Sequence, residues 1–205
     1  MRYKRVFNNV ILVVCITSCF FVFGSSILFA GDPGKLVMET IDKGLVVLKE
    51  PSLKGNDKVN ERRQKLWETI SPIFNFEEMS KRALGQHWKK RSDEEKKEFV
   101  GLFTNILKDA YIGKTDAYSG EKVILMKERV DKEYATVQTK FILNTGSELV
   151  VDYNMLNNSG EWKIYDVIIE GVSLVNNYRS QFNSILIKST YNELVQRIKE
   201  KKANG

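Results

Sequence analysis

From Leu36 onward the apolar positions follow two rhythms, and the switch between them divides the chain. In the first stretch they recur at helical spacing. Val37, Ile41, Leu45 and Leu48 mark one helix. The loop from Glu50 to Asp57, with Pro51 and Gly55, breaks it. A polar helix is expected over Asp57 to Ile70, with Val59, Leu66, Trp67 and Ile70 as its apolar side. Ser71-Pro72 has the form of an N-cap followed by proline at the first helical position. Asn75 and Glu78 form a capping-box pair opening a short helix that Gly85 would end. The clearest helix starts at Ser92, where Ser92 and Glu95 form another box and Asp93 and Glu94 favour the positive end of the dipole. Phe99, Leu102, Phe103, Ile106, Leu107, Ala110 and Tyr111 then make one stripe.

The rhythm changes near Gly120. Val123 to Met126 is a short apolar run. Tyr134 to Leu143 alternates, with Ala135, Val137, Thr139, Phe141 and Leu143 on one face. Glu148 to Leu156 puts Leu149, Val151, Tyr153 and Met155 on one face, and Glu161 to Glu170 follows. Turns at Asn144-Thr145-Gly146-Ser147 and Asn157-Asn158-Ser159-Gly160 join them into an antiparallel meander. Helical spacing returns with Leu174, Val175, Tyr178, Phe182, Ile185 and Leu186, and Thr190 with Glu193 caps a final helix. Helices, then sheet, then helices predict an α+β fold: a curled antiparallel sheet packed against several helices.

The N-terminus reads differently. Arg2, Lys4 and Arg5 precede an apolar stretch from Val10 to Phe29, the pattern of a signal peptide cleaved after Ala30. Gly24-Ser25-Ser26 offers a second cleavage site. An uncleaved anchor and a lipoprotein site at Cys19 are competing readings. Residues 1–30 are thus expected to be a signal peptide, and 31–205 one exported domain. Both cysteines, Cys15 and Cys19, fall in the leader, so the mature domain has neither disulfide nor thiolate chemistry. The leader also holds 3 of the 32 basic residues and none of the 26 acidic ones, so the mature balance is 29 − 26, or +3. That modest, interspersed charge does not favour nucleic acid.

Few residues suggest catalysis. His87, the only histidine, stands in Gly85-Gln86-His87-Trp88-Lys89-Lys90-Arg91 with no recognisable nucleophile motif, and reads as a surface or hydrogen-bonded side chain. No orderly set of metal ligands is visible. Lys89-Lys90-Arg91 is either a solvated connector or a contact to anionic head groups or an acidic partner. Asp166 interrupts an apolar strand; it would face solvent or meet a buried arginine such as Arg82 or Arg179.

One long stretch carries a resemblance. Trp162-Lys163-Ile164-Tyr165-Asp166-Val167-Ile168-Ile169-Glu170-Gly171-Val172-Ser173-Leu174-Val175-Asn176-Asn177-Tyr178-Arg179-Ser180-Gln181-Phe182 resembles the C-terminal signature of the MlaC family. Phe76 to Gly85 followed by Trp88, Glu98-Phe99 leading into Leu102-Phe103, and Tyr111 with Tyr118-Ser119-Gly120-Glu121 resemble other family blocks in the same order. Together they span most of residues 71–187. The resemblance implies a monomeric periplasmic carrier, without cofactor, whose apolar cavity between helices and sheet holds phospholipid as cargo. It implies two docking partners: an inner-membrane transporter complex with a lipid-binding periplasmic subunit, and an outer-membrane lipoprotein complex. The cavity candidates it implies are Phe76, Met79, Leu84, Phe99, Phe103, Leu107, Tyr111, Val151, Tyr153, Met155, Val167, Ile169, Val172, Val175 and Tyr178. Two other functions stay open on the residues: an enzyme on a similar scaffold using Asp166 and Tyr178 for proton transfer, and an interaction module with a filled core.

Overall fold

The computed structural model describes residues 31–203; the leader reading, with both cysteines, concerns residues outside that range. Six helices and five strands form an α+β fold. The helices are α1 (Pro33–Lys49), α2 (Val59–Ile70), α3 (Phe76–Leu84), α4 (Asp93–Tyr111), α5 (Leu174–Leu186) and α6 (Tyr191–Ala203). The strands are β1 (Lys122–Asp131), β2 (Tyr134–Ile142), β3 (Glu148–Asn158), β4 (Glu161–Ile169) and β5 (Val172–Ser173).

Local chemistry sets most of the boundaries. Asp32 caps α1 by accepting from the Lys35 amide at 2.9 Å. At α4 the expected capping box is complete: the Glu95 amide donates to Ser92 Oγ at 3.2 Å and the Ser92 amide donates to Glu95 at 2.9 Å. Thr190 and Glu193 form the same reciprocal pair before α6. Only half of the box expected at Asn75 forms. Asn75 Oδ1 accepts from the Glu78 amide, but the Asn75 amide donates to the Ile164 carbonyl at 2.8 Å. The sheet has taken that donor, and Glu78 turns instead to Lys81 and Arg82. Ser71-Pro72 opens a single 3₁₀ turn over Ser71–Ile73, not a helix, because Phe74 leaves it in extended conformation and bridges to Ile164 of β4.

The strands run antiparallel in sequential order β1-β2-β3-β4-β5. The β3–β4 turn has positive φ at Ser159 and Gly160, and the β4–β5 turn at Glu170 and Gly171. Two such residues suit a tight hairpin whose twist matches the strands. Bulges interrupt the register between Leu125 and Lys127 and between Asn154 and Met155. Each adds local twist and bends its strand, so the sheet curls. Strand β1 is longer than its apolar run suggested, and β5 is too short to leave a sequence pattern.

Three apolar clusters result. The largest lies among α3, α4, α5 and α6 and includes Met79, Leu84, Trp88, Phe99, Phe103, Val175, Phe182 and Leu194. The second lies against the sheet and includes Val37, Ile73, Val137, Met155, Trp162, Ile164 and Leu174. A third joins α1 and α2 through Val47 and Leu66 to Ile112. Gly44 permits that approach, since a Cβ there would sit 3.3 Å from the Leu66 side chain.

Asp166 ties sheet to helices. It neither faces solvent nor meets Arg82 or Arg179. It is 6% exposed, its Oδ2 accepts from Ser173 Oγ at 2.6 Å, and its Oδ1 accepts from the Val175 amide at 3.0 Å. One carboxylate thus satisfies an orphan donor at the start of α5 and fixes the β5 turn. Replacing Asp166 with Ala leaves those donors buried and unpaired, at about 1–3 kcal/mol each. Urea denaturation of the Asp166→Ala protein is expected to show a loss of about 2–4 kcal/mol; an unchanged midpoint would contradict this role.

Candidate functional site: the apolar interior between sheet and helices

Alternation assigns the inner face of the sheet. Ala135 pairs with Met155, Val137 with Tyr153, Thr139 with Val151 and Phe141 with Leu149. On the next strand Val151 pairs with Ile169 and Tyr153 with Val167. These apolar side chains share one face, and α1 contributes Leu36, Val37 and Ile41 to the same cluster. The covering is uneven. Val137 and Met155 are sealed, whereas Phe141, Leu149, Tyr153 and Ile169 remain only half-buried.

Tyr153 identifies this strip as interior. Burial pushes its phenol up to about 12, opposed by its contact with the Thr139 hydroxyl. Its ring nevertheless stays partly accessible. Both hold for a side chain whose hydroxyl lies among protein atoms while part of the ring is left uncovered. Tyr111 and Phe74 pack against both the helical cluster and the sheet cluster, so they stand where the two layers meet. Burial raises the Tyr111 phenol; it also raises that of Tyr178, as does the neighbouring Tyr111 to a lesser degree.

The fifteen candidates therefore divide. Val151, Tyr153, Met155, Val167 and Ile169 lie on the inner face of the sheet, with Tyr111 at the junction. Met79, Leu84, Phe99, Phe103, Leu107, Val175 and Tyr178 belong to the packed helical cluster instead. Phe99 is 0% exposed, 5.5 Å edge-on from Phe182, and Phe103 is 5.2 Å from Tyr178. Such rings are filled core. Phe76 stacks on Phe74 and borders a separate cleft of about 280 Å³ with Asn158, Glu161 and Lys163. Val172 is 57% exposed at the sheet's end and walls nothing. Missed by the pattern were Leu125 (43% exposed) and Val130 (51%), which register opposite Thr139 and Ala135 and so extend the inner face along β1. They were unmarked because a solvent-facing edge strand mixes apolar and charged residues.

The polar candidates resolve too. His87 Nε2 lies 3.0 Å from Asn183 Oδ1, a hydrogen-bonded side chain. Arg91 is withdrawn from the basic cluster: it pairs with Glu95 at 3.2 Å and lies over the Tyr191 ring. Lys89 and Lys90 stay exposed. Asp166, with both oxygens engaged by Ser173 and Val175, is held as a structural acceptor and not as a general base.

The comparisons with known proteins bear on what fills such an interior. The sequence profile of the MlaC protein family matches residues 38–200, most of the chain. The chain belongs to the MlaC family. It is 24% identical over 173 residues to the intermembrane phospholipid transport system binding protein MlaC of Haemophilus influenzae, covering 82% of this chain and 81% of that protein. The toluene tolerance protein ttg2D of Pseudomonas putida is 25% identical over 115 residues, covering 55% of this chain and 54% of that one. The structure of a phospholipid-binding protein of Ralstonia solanacearum, solved in complex with a phospholipid, superposes with a TM-score of 0.76 at 25% identity. That match covers 84% of this chain and 98% of the other.

The raised pKa of Tyr153 has a consequence for this MlaC-family fold. A phenol whose folded pKa exceeds its ordinary value near 10 favours folding while neutral, and that contribution fades as pH rises from 10 through 12. In a spectrophotometric titration Tyr153→Phe should remove one late-ionising phenol near pH 12 and leave the others unchanged. Loss of a phenol titrating near 10 would place the hydroxyl in water.

Proposed function

We propose that this chain carries phospholipid through the periplasm, with the acyl chains held against the inner face of the sheet. The observation that carries this is the incompletely covered apolar strip of Phe141, Leu149, Tyr153 and Ile169. The R. solanacearum relative, of the same fold, was solved with phospholipid bound, and the H. influenzae relative is named for phospholipid transport between membranes. Both support the reading. Leu125 and Val130 extend the strip toward the free edge of β1.

Energetics suit a carrier. Two acyl chains hold about 30 methylenes, so taking them out of water gains roughly 24 kcal/mol at about 0.8 kcal/mol each. Free lipid in water is therefore not a workable intermediate. A bilayer offers nearly the same gain, so exchange between membrane and protein runs close to balance. Direction must then come from docking partners: an inner-membrane transporter complex on one side, an outer-membrane lipoprotein complex on the other. Shuttling between them would maintain the lipid asymmetry of the outer membrane. A charged head group costs several kcal/mol to bury, so it stays at the opening. The carrier needs no chemical step, and the hydrogen bonds that occupy Asp166 weigh against the proton-transfer alternative.

Native mass spectrometry of protein purified from the periplasm without detergent tests this. The expected mass excess is that of a diacyl phospholipid, confirmed by extraction. A bare protein mass that persists after incubation with vesicles would reject it. Ile169→Glu, at the open strip, should reduce lipid occupancy at least about tenfold, since an unpaired charge facing acyl chains costs more than 1.4 kcal/mol. Val172→Glu, at an exposed position, should leave occupancy unchanged. Equal behaviour of the two proteins would disprove the assignment of the strip.

A further inference from the structure

A further concavity lies between two helices of the helical layer. It is a cleft of about 390 Å³ between the end of α3 with its following turn and α5, lined by Leu84, Gly85, Gln86, His87, Asn176, Arg179, Ser180 and Asn183. Its apolar contribution is Leu84 alone, so it does not suit acyl chains. No carboxylate lines it.

Arg179 dominates the cleft. Among the described residues its guanidinium has no ion-pair partner. Gly85 adopts φ +56°, and a Cβ there would meet Arg179 Nε at 2.9 Å, so the exposed side chain lies against bare backbone. The neighbours lean toward donation. Asn183 Oδ1 is occupied by His87, which leaves the Asn183 amide hydrogens free. Asn176 and Gln86 carry further amide donors. Lys89 and Lys90 stand exposed on the turn that forms one wall and raise the local positive potential.

We propose that this cleft is a receptor for one phosphate group. A planar carboxylate is satisfied by the guanidinium fork alone, whereas a tetrahedral phosphate uses the fork and the surrounding amides together. The phosphate would come either from a lipid head group at a membrane surface or from a soluble phosphate ester. The proposal does not depend on what the sheet interior holds.

The test is titration of ¹⁵N-labelled protein, read at the backbone amides of Gln86, His87 and Asn183 and at Arg179 Nε–H. The probes are sn-glycerol 3-phosphate, inorganic phosphate, and vesicles of phosphatidylglycerol or phosphatidylcholine. Saturable shifts confined to this cleft, with at least a tenfold weaker response in Arg179→Gln, are the expected result. Arg179→Lys, which keeps the charge but loses the fork, should fall between the two. Thermal melts of both variants, matching the parent protein, show that the fold is intact. A response to soluble phosphates identifies a free phosphate site, and one to phosphatidylglycerol vesicles alone identifies a head-group site. Absence of response to every probe overturns the proposal. So do shifts spread over the lysine-bearing surface, or shifts that survive in Arg179→Gln.

Discussion

The Asp166 carboxylate is the contact on which the arrangement of the layers depends. It sits beside the bulged residue of β4, reaches the Ser173 hydroxyl in β5, and accepts from the first turn of α5. Helix α5 in turn supplies Val175, Tyr178 and Phe182 to the helical cluster. A single buried acceptor thus fixes where the helical layer starts relative to the sheet. The Asn75 amide bound to the Ile164 carbonyl does the same for α3 from the other side of the chain. Both contacts are polar and directional. They fix how the helical layer is placed against the sheet.

The two clusters differ in density. The helical cluster is dense: Phe99, Phe103, Tyr178, Phe182 and Tyr191 contact one another ring to ring. It provides burial independent of cargo. The sheet cluster can then be left unfinished over Phe141, Leu149, Tyr153 and Ile169 without the fold depending on it. The bulges in β1 and β3–β4 add local twist to the sheet.

Much of this was legible in the sequence because the signals are local. Capping pairs at Ser92 and Thr190, alternation over β2 to β4, and turn residues at Ser159-Gly160 each act within a few residues. The failures share a cause. Apolar spacing reports that a side chain has apolar company; it does not say whether that company is protein or cargo. Phe99 and Tyr153 look alike on that measure, yet one is sealed among rings and the other stays only half-buried. The N-cap expected at Ser71 failed because Phe74 found a strand partner far along the chain. Asp166 looked anomalous for the same reason: the donors it serves lie beyond the next turn.

A carrier of this kind must bind its cargo strongly against water and weakly against a membrane. An interior made only of apolar surface meets both demands, because methylenes gain the same burial in either place. A buried cation on the head group would upset the balance by adding an interaction the bilayer does not match. Among the described residues the strip of Phe141, Leu149, Tyr153 and Ile169 carries no cation, and its one polar group, the Tyr153 phenol, is kept neutral at physiological pH by burial. The exposed cations Arg179, Lys89 and Lys90 lie instead on the outer helical surface.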